Sequence, residues 1–297
     1  MNESHGFNRL ITDAGRKLEA AGCAQARHEA EWALSALLGI EPLELYLRPR
    51  ALSDEARSKF WAIIAERAQG QPLQYLLGET EFCGLRFAIR PGVFIPRPET
   101  ESVVQTAIAA FGALALHRPQ PLRLVEFGVG SGCIAVTLAK AFPACRIVGV
   151  EVSWDACALV LENAGTHGVM PQLQLIQGSW DEALTGLHDG IIANPPYVPS
   201  AQVERLPLDV RQEPHRALDG GGDGLRDVRR VLAAASRLLR PDGIAILECG
   251  EEQVDRVIQD VRPAPWVSSV TALHDLAHRP RGVIITRMPA EQSADIR

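Results

Sequence analysis

From about residue 101 onward the chain alternates short apolar runs with longer amphipathic stretches, and this alternation leaves few architectures open. A helix over 101–116 precedes a predicted strand at 122–127. Helix 133–141, strand 146–150, helix 154–164 and strand 173–177 follow. A strand at 190–193 stops at Asn194, and helix 225–239, strand 243–248 and strand 282–287 complete the series. Strands that are apolar at consecutive positions are covered on both faces. The pattern therefore predicts an α/β fold, an open and mostly parallel sheet between two layers of helices. Residues 288–297 read as a frayed tail.

The first seventy residues follow a different period. Phe7, Leu10, Ile11, Ala14, Leu18 and Ala21 recur at helical spacing. Ala30, Ala33, Leu34, Leu37 and Leu38 form a second stripe, and Phe60, Ile63, Ile64 and Arg67 a third. Gly22, Gly39 and Gly70 stand where helices would stop, and Ser53 where one would be capped. Trp32 and Trp61 belong to the core of this bundle. Residues 1–70 are thus a helical domain. Residues 71–100, with a strand pair turning at Gly84 and prolines at 91, 96 and 98, are a hairpin and extended linker, and 101–297 form a second domain.

Composition excludes several function classes. With 30 Lys+Arg against 36 Asp+Glu, a net charge of −6 is poorly suited to gripping nucleic acid through its phosphates. No apolar run reaches the roughly 18–20 residues of a membrane span, and the N-terminus lacks the layout of a signal peptide. The six cysteines contain no CxxC pair and read as buried reduced thiols. A soluble cytoplasmic protein acting as a monomer, with no membrane or direct nucleic-acid partner, is expected.

Two motifs carry chemistry. Glu126-Phe127 runs into Gly128-Val129-Gly130-Ser131-Gly132 and then a helix, so that backbone, unobstructed by side chains, can approach a ligand. Glu151 ends the next strand, 19 residues beyond Gly132 (151 − 132), where a carboxylate can accept from a ribose diol. The spacing is GxGxG rather than GxGxxG, which disfavours a nicotinamide cofactor. The second motif, Asn194-Pro195-Pro196-Tyr197, follows a strand. Its prolines stiffen the backbone and remove two N–H donors, leaving carbonyl acceptors in a fixed direction beside the Asn194 side-chain oxygen. Two acceptors and an aromatic face suit a planar NH2 group. Such a nitrogen is a weak nucleophile that gains from being positioned.

Together these residues resemble S-adenosylmethionine-dependent methyltransferases acting on amide or exocyclic amino nitrogens. The stretches Gly70–Gly78, Phe94-Ile95-Pro96-Arg97-Pro98-Glu99-Thr100-Glu101, Glu213-Pro214, Ala217-Leu218 and Leu247-Glu248-Cys249-Gly250 narrow the likeness. The chain resembles the peptide chain release factor N5-glutamine methyltransferases over nearly its whole length. The resemblance implies a five-helix N-terminal domain that reads the substrate, a hairpin linker and a Rossmann-like methyltransferase domain with a seven-stranded sheet. It also implies S-adenosylmethionine as cofactor, and as substrate the glutamine of the Gly-Gly-Gln loop of release factors. Gly128, Val129, Gly130, Ser131 and Gly132 would line the cofactor, Glu151 would hold its ribose and Trp180 would pack near its adenine. Asn194, which also borders the cofactor, would hold the substrate amide with Pro195, Pro196 and Tyr197; Asn194, Pro195 and Tyr197 are the expected catalytic residues. No metal is implied. Glu126 stands where the family has Asp, Val129 where it has a small polar residue, and Ser179 where it has an Asp near the adenine.

Other readings share parts of this pattern. A ribosomal-protein glutamine methyltransferase would use the same chemistry, but Ile95–Glu101 favours release factors. A DNA adenine N6-methyltransferase would need a basic recognition region, and an inactive homologue would not need the intact Asn194–Tyr197 segment. Arg97 has two readings, a contact to cofactor or substrate and a lock against Glu99 or Glu101. His274 and His278 are spaced like a helical metal pair but lack the HExxH context. Arg226, Arg229, Arg230, Arg237 and Arg240 read as a solvated helix face, and Gly220-Gly221-Gly222 as a flexible loop.

Overall fold

The computed structural model describes residues 4–47 and 52–290. They form two compact units, one from Met1–Thr80 with Pro207–Gln212, the other from Glu81–Leu206 with Glu213–Arg297.

The first unit is helical: α1 (Ser4–Ala20), α2 (Ala26–Leu38), α3 (Glu44–Leu47), α4 (Asp54–Ala68) and α5 (Leu73–Leu77). Phe7, Ile11, Ala14 and Leu18 of α1 pack with Ala30, Ala33 and Leu34 of α2 and with Phe60 and Ile64 of α4. Trp32 and Trp61 are half-buried at the edge of this core. The Ser53 hydroxyl caps α4 by accepting from the Ala56 N–H at 3.1 Å. Arg67, on the apolar stripe of α4, is 6% exposed and still charge-paired, donating to Glu29 at 3.1 Å and to Asp209 at 2.9 Å. Asp209 brings the distant segment Pro207–Gln212 into this unit. Leu208 seats over Gly70, where an added Cβ would lie 2.3 Å from its Cδ2.

The second unit is built on a sheet. The short strands β1 (Glu79–Phe82) and β2 (Leu85–Ala88) pair across Cys83 and Gly84, both at positive φ as a two-residue type I′ hairpin turn requires. The elements that follow are α6 (Pro98–Ala115), β3 (Arg123–Phe127), α7 (Cys133–Ala141), β4 (Arg146–Glu151), α8 (Trp154–Thr166), β5 (Leu173–Gln177) and β6 (His188–Ala193). Then come α9 (Ser200–Val203), α10 (His215–Leu218), α11 (Arg226–Leu238), β7 (Leu239–Glu248), α12 (Val254–Val261), β8 (Val267–His274) and β9 (Pro280–Arg287). The seven-stranded sheet has the order β5-β4-β3-β6-β7-β9-β8, parallel from β5 to β7, with β9 antiparallel to both its neighbours. Its strands alternate between two cores. Leu124, Ile192 and Ile246 face α6 and α7, whereas Val125, Phe127, Ile191, Ala193, Ala245 and Leu247 face α11 and α12.

Strand order reverses between β3 and β6, which lie side by side with Phe127 opposite Ala193. This is the topological switch point, where open α/β sheets form a crevice beyond the carboxyl ends of their strands. The glycine turn leaves β3 there and Asn194 leaves β6 there.

Several expectations need correction. The helix expected at 101 begins at Pro98, because proline lacks only an N–H that the first helical position leaves unbonded. Neither α12 nor β8 stood out in the sequence; β8 is an edge strand in which the exposed polar residues Ser268, Ser269, Thr271 and His274 break up the apolar pattern. His274 ends β8 and His278 lies in the following turn at φ +59, so the pair is not on a helix. The Gly220–Gly222 loop is packed: the Gly220 N–H donates to the Val198 carbonyl at 2.8 Å, and the Ser200 N–H to the Gly221 carbonyl at 2.9 Å. All six cysteines are free; Cys23 and Cys83 are half-buried and the rest buried. Of the tail, 291–297 lie outside the described residues, while the Met288 N–H donates to the Trp266 carbonyl at 2.9 Å. Among the described residues no helix is long and apolar enough to cross a membrane.

Candidate active site

A cavity of about 520 Å³ opens at the switch point, within the size range of small-molecule sites. Gly128, Val129, Gly130, Ser131, Glu151, Trp180, Asn194 and Pro196 line it, whereas Gly132, Pro195 and Tyr197 lie outside its lining. Gly132 instead forms the start of α7, and a Cβ there would press on Val160 at 3.4 Å.

The glycine turn is held from three sides. Gly128, Gly130 and Gly132 all have positive φ, a conformation costly for any residue with a Cβ. The Gly128 N–H donates to the Val150 carbonyl at 2.9 Å. Glu151 Oε2 accepts from the Gly130 N–H at 2.9 Å and Oε1 from the Ser153 N–H at 2.8 Å, so this carboxylate ties the turn to the start of α8. Buried Asn163 of α8 completes the clasp, donating to the Ser131 carbonyl at 2.8 Å and accepting from the Ala88 N–H at 2.8 Å. Each Glu151 oxygen keeps a second lone pair for a ligand hydroxyl. The Val129 side chain fits because position 149 has no Cβ; one there would lie 2.7 Å from Val129 Cγ2.

Glu126 also lines the cavity and is 1% exposed, with Oε2 unpartnered among the described residues. Burial pushes its carboxyl well above the usual carboxylate range. Trp180 sits at φ +48, unfavourable for so bulky a residue, with its ring tilted against Phe127 at 6.3 Å between centroids. Strain of this kind persists where the surroundings impose it, commonly at ligand sites. Ser179 lines the cavity next to it.

Asn194 Nδ2 donates to Thr100 Oγ1 at 3.2 Å, and the Tyr197 hydroxyl donates to Glu248 Oε1 at 3.3 Å. Burial and the neighbouring Glu248 push the Tyr197 phenol up, so it stays a protonated donor. Backbone reinforces this segment. The Tyr197 carbonyl accepts from Gln253 Nε2 at 2.9 Å, and a Cβ on Gly220 would meet the Pro196 carbonyl at 2.7 Å.

Sequence reasoning missed several lining residues. Thr100, Pro214, Arg216, Arg226 and Arg230 all border the cavity. Arg226 and Arg230 therefore do not lie on a wholly solvated face, and Arg240 is on β7 rather than on a helix. Arg216 donates to the Ser153 hydroxyl at 3.0 Å. Arg97 is a lock, but with an unforeseen partner: it pairs with buried Glu213, whose other oxygen accepts from the Ile95 N–H at 3.0 Å, and it stacks on Phe94 at 4.9 Å. Periodicity gives no sign of such partners, which lie more than a hundred residues away; the Glu213-Pro214 and Leu247-Glu248 stretches were the available signal. Among the described residues no cluster of His, Cys, Asp and Glu is placed to hold a metal.

Comparisons with known proteins give the family and the fold. Residues 9–78 match the family model of the PrmC N-terminal domain, and residues 111–223 that of the Methyltransferase small domain. The chain is 39% identical over 280 residues to the release factor glutamine methyltransferase of Moorella thermoacetica, covering 93% of this chain and 96% of that one. It is 42% identical over 244 residues to the Geobacter sulfurreducens protein of the same name, covering 81% and 83% respectively. Among solved structures, the hMettl16 catalytic domain superposes with a TM-score of 0.53 at 13% identity, over 80% of this chain and 84% of that one. A methyltransferase from Pyrococcus furiosus superposes at 0.50 and 15% identity, over 80% and 100%. These two show a shared fold.

Proposed function

The chain belongs to the release factor glutamine methyltransferases, and we propose that it methylates the side-chain amide nitrogen of the glutamine in the Gly-Gly-Gln loop of release factors, in the cytoplasm, using S-adenosylmethionine. The observation that carries this reading is the placement of Asn194 in the lining of the glycine-turn cavity, between β3 and β6 where the order of the parallel strands reverses.

The cavity fits the cofactor in size and in the chemistry of its walls. Glu151 offers acceptors to a ribose diol, while Trp180 and the apolar side chains beside it offer a face to an adenine. Arg216 and Arg230 supply positive charge for a carboxylate. When bound, S-adenosylmethionine supplies a methyl group on a positively charged sulfur. The chain's own residues supply the position of the nucleophile. Asn194 Oδ1 and the Pro195 carbonyl accept the two hydrogens of the glutamine NH2, and Tyr197 covers its plane. Held this way, the nitrogen directs its lone pair toward the cavity as it pyramidalises. With the cofactor bound, the new N–C bond would form as the methyl's bond to sulfur breaks, the bonding pair staying on sulfur and cancelling its charge, and the amide nitrogen would give up one proton to water.

We assign recognition of the protein substrate to the helical unit, where Leu43 and Leu47 are 66% and 67% exposed. Mass spectrometry of a release factor incubated with the protein and cofactor tests the proposal. The Gly-Gly-Gln peptide should become one methyl group heavier, and an unmodified peptide beside a methylated ribosomal protein would favour the alternative substrate.

A further inference from the structure

At the opposite end of the parallel strands from the glycine turn lies another cavity, of about 510 Å³. Its polar lining is Arg146 of β4, Arg123 of β3, His188 of β6 and Arg240 of β7, with the side-chain amides of Gln120 and Gln174. Among the described residues no aspartate or glutamate lines it. In a chain with a net charge of −6, a wall with three guanidiniums and no carboxylate is a local reversal of charge.

The sheet order β4-β3-β6-β7 sets the four basic residues on neighbouring strands, each at or next to the first residue of its strand. Arg123 stands opposite Arg146 in the parallel register. With strands about 4.8 Å apart, the row from Arg146 to Arg240 spans about 14 Å. Gln174, on the next strand beyond β4, extends it. The row is not neutralised from within. Arg123 and Arg146 are exposed, and among the described residues neither side chain has an ion-pair partner. The neighbouring Asp189 is 1% exposed and already engaged. It accepts from Arg240 Nη1 at 3.0 Å and from the Arg123 backbone N–H at 2.9 Å, and lies 3.3 Å from Arg118 Nε. Only Nη1 of Arg240 meets it, which leaves that guanidinium its other N–H groups. His188 is the buried member of the wall, 2% exposed, and its Nδ1 has no hydrogen-bond partner among the described residues. Burial and the charges of Arg123 and Arg240 lower its imidazole to about 4, against the opposing charge of Asp189, a mark of the positive field at this end of the sheet.

A lone carboxylate is taken up by one guanidinium as a bidentate pair. A row about 14 Å long is matched instead by an anion charged at several points along a chain, and phosphate oxygens suit the planar guanidinium fork. We propose that this cavity binds a small molecule carrying two or more linked phosphates, a free polyphosphate or a nucleoside polyphosphate, held by Arg123, Arg146 and Arg240 with the amides of Gln120 and Gln174 at its flanks. The site is distinct from the glycine-turn cavity and stands independently of the methyl-transfer reading.

Calorimetry on the full-length protein with pyrophosphate, ADP, adenosine and citrate tests this. Pyrophosphate should bind at one site, and its dissociation constant should rise about tenfold or more when Arg123→Ala and Arg146→Ala are combined. Both side chains are exposed, and the Arg123 backbone bond to Asp189 survives the change, so the variant keeps its fold. Arg9→Ala, whose side chain on α1 is 86% exposed, removes a charge elsewhere and should leave binding unchanged. ADP binding more tightly than pyrophosphate while adenosine stays silent identifies a nucleotide as the ligand; equal binding of the two identifies a free polyphosphate. Arg216 and Arg230 line the glycine-turn cavity, so the titration is repeated with saturating S-adenosylmethionine, which should not weaken pyrophosphate binding. In NMR the ring-proton resonances of His188 should shift on adding pyrophosphate to the wild type and stay in place in the double variant. Several results overturn the proposal: no pyrophosphate binding, binding that survives the double substitution, displacement by S-adenosylmethionine, or citrate or adenosine binding as tightly as the phosphates.

Discussion

Each oxygen of Glu151 accepts a backbone N–H before any ligand arrives, so this residue builds the site as well as facing it. Replacing it with glutamine sets a side-chain N–H against one of those backbone N–H groups, and the turn should loosen. The cofactor dissociation constant of Glu151→Gln should rise about tenfold, the equivalent of about 1.4 kcal/mol, as read by calorimetry. Asn194 makes the opposite case. Its amide donates to Thr100, and in the mechanism proposed above its loss removes an acceptor that matters most as the substrate nitrogen changes shape. Asn194→Ala should lower turnover by about a hundredfold while shifting cofactor affinity less than about threefold, a split that steady-state kinetics with calorimetry resolves. The residue types at both positions were legible in the sequence. The Gly130 and Thr100 contacts were not, because each partner is set by how strands and helices dock.

Elements with a strong period were legible as well. Helix α7 and strand β5 lie where their apolar pattern puts them, at Cys133–Ala141 and Leu173–Gln177. Boundaries shifted where a local rule competes with a tertiary one: α6 starts at Pro98, and β7 begins at Leu239, pairing with His188 across a bulge. β8 was illegible because an edge strand shows water a face that a buried strand keeps apolar. Packing between layers turns one apparently bland residue into a constraint. A Cβ on Gly190 of β6 would lie 2.5 Å from Phe111 Cε1 and 2.7 Å from Leu124 Cδ2. Gly190→Ala should therefore destabilise the sheet unit by about 1–3 kcal/mol, seen as a lower denaturant midpoint.

At the scale of the whole molecule, stability should carry a signature of His188, which is 2% exposed at the start of β6. Burial and the nearby Arg123 and Arg240 lower its imidazole to about 4. The unfolded chain takes up this proton near the ordinary value of about 6.5, and the folded chain resists it until about 4. Stability is thus full above the higher value and falls as pH drops between the two. Part of the acid-side loss should be absent in His188→Gln, measured as the difference in unfolding free energy from the wild type across that window. Fold class was written locally, in the period of the strands and the glycine turn, and the proposed site was named from the equally local GxGxG turn, Glu151 and Asn194–Tyr197, because strand period and turn chemistry are properties of neighbouring residues. The tertiary structure alone decided that Pro207–Gln212 joins the helices through Arg67, that Arg97 locks to Glu213, that Asn194 donates to Thr100 and that Tyr197 donates to Glu248. Those pairings depend on which distant surfaces meet when apolar faces are buried, and no local pattern encodes that.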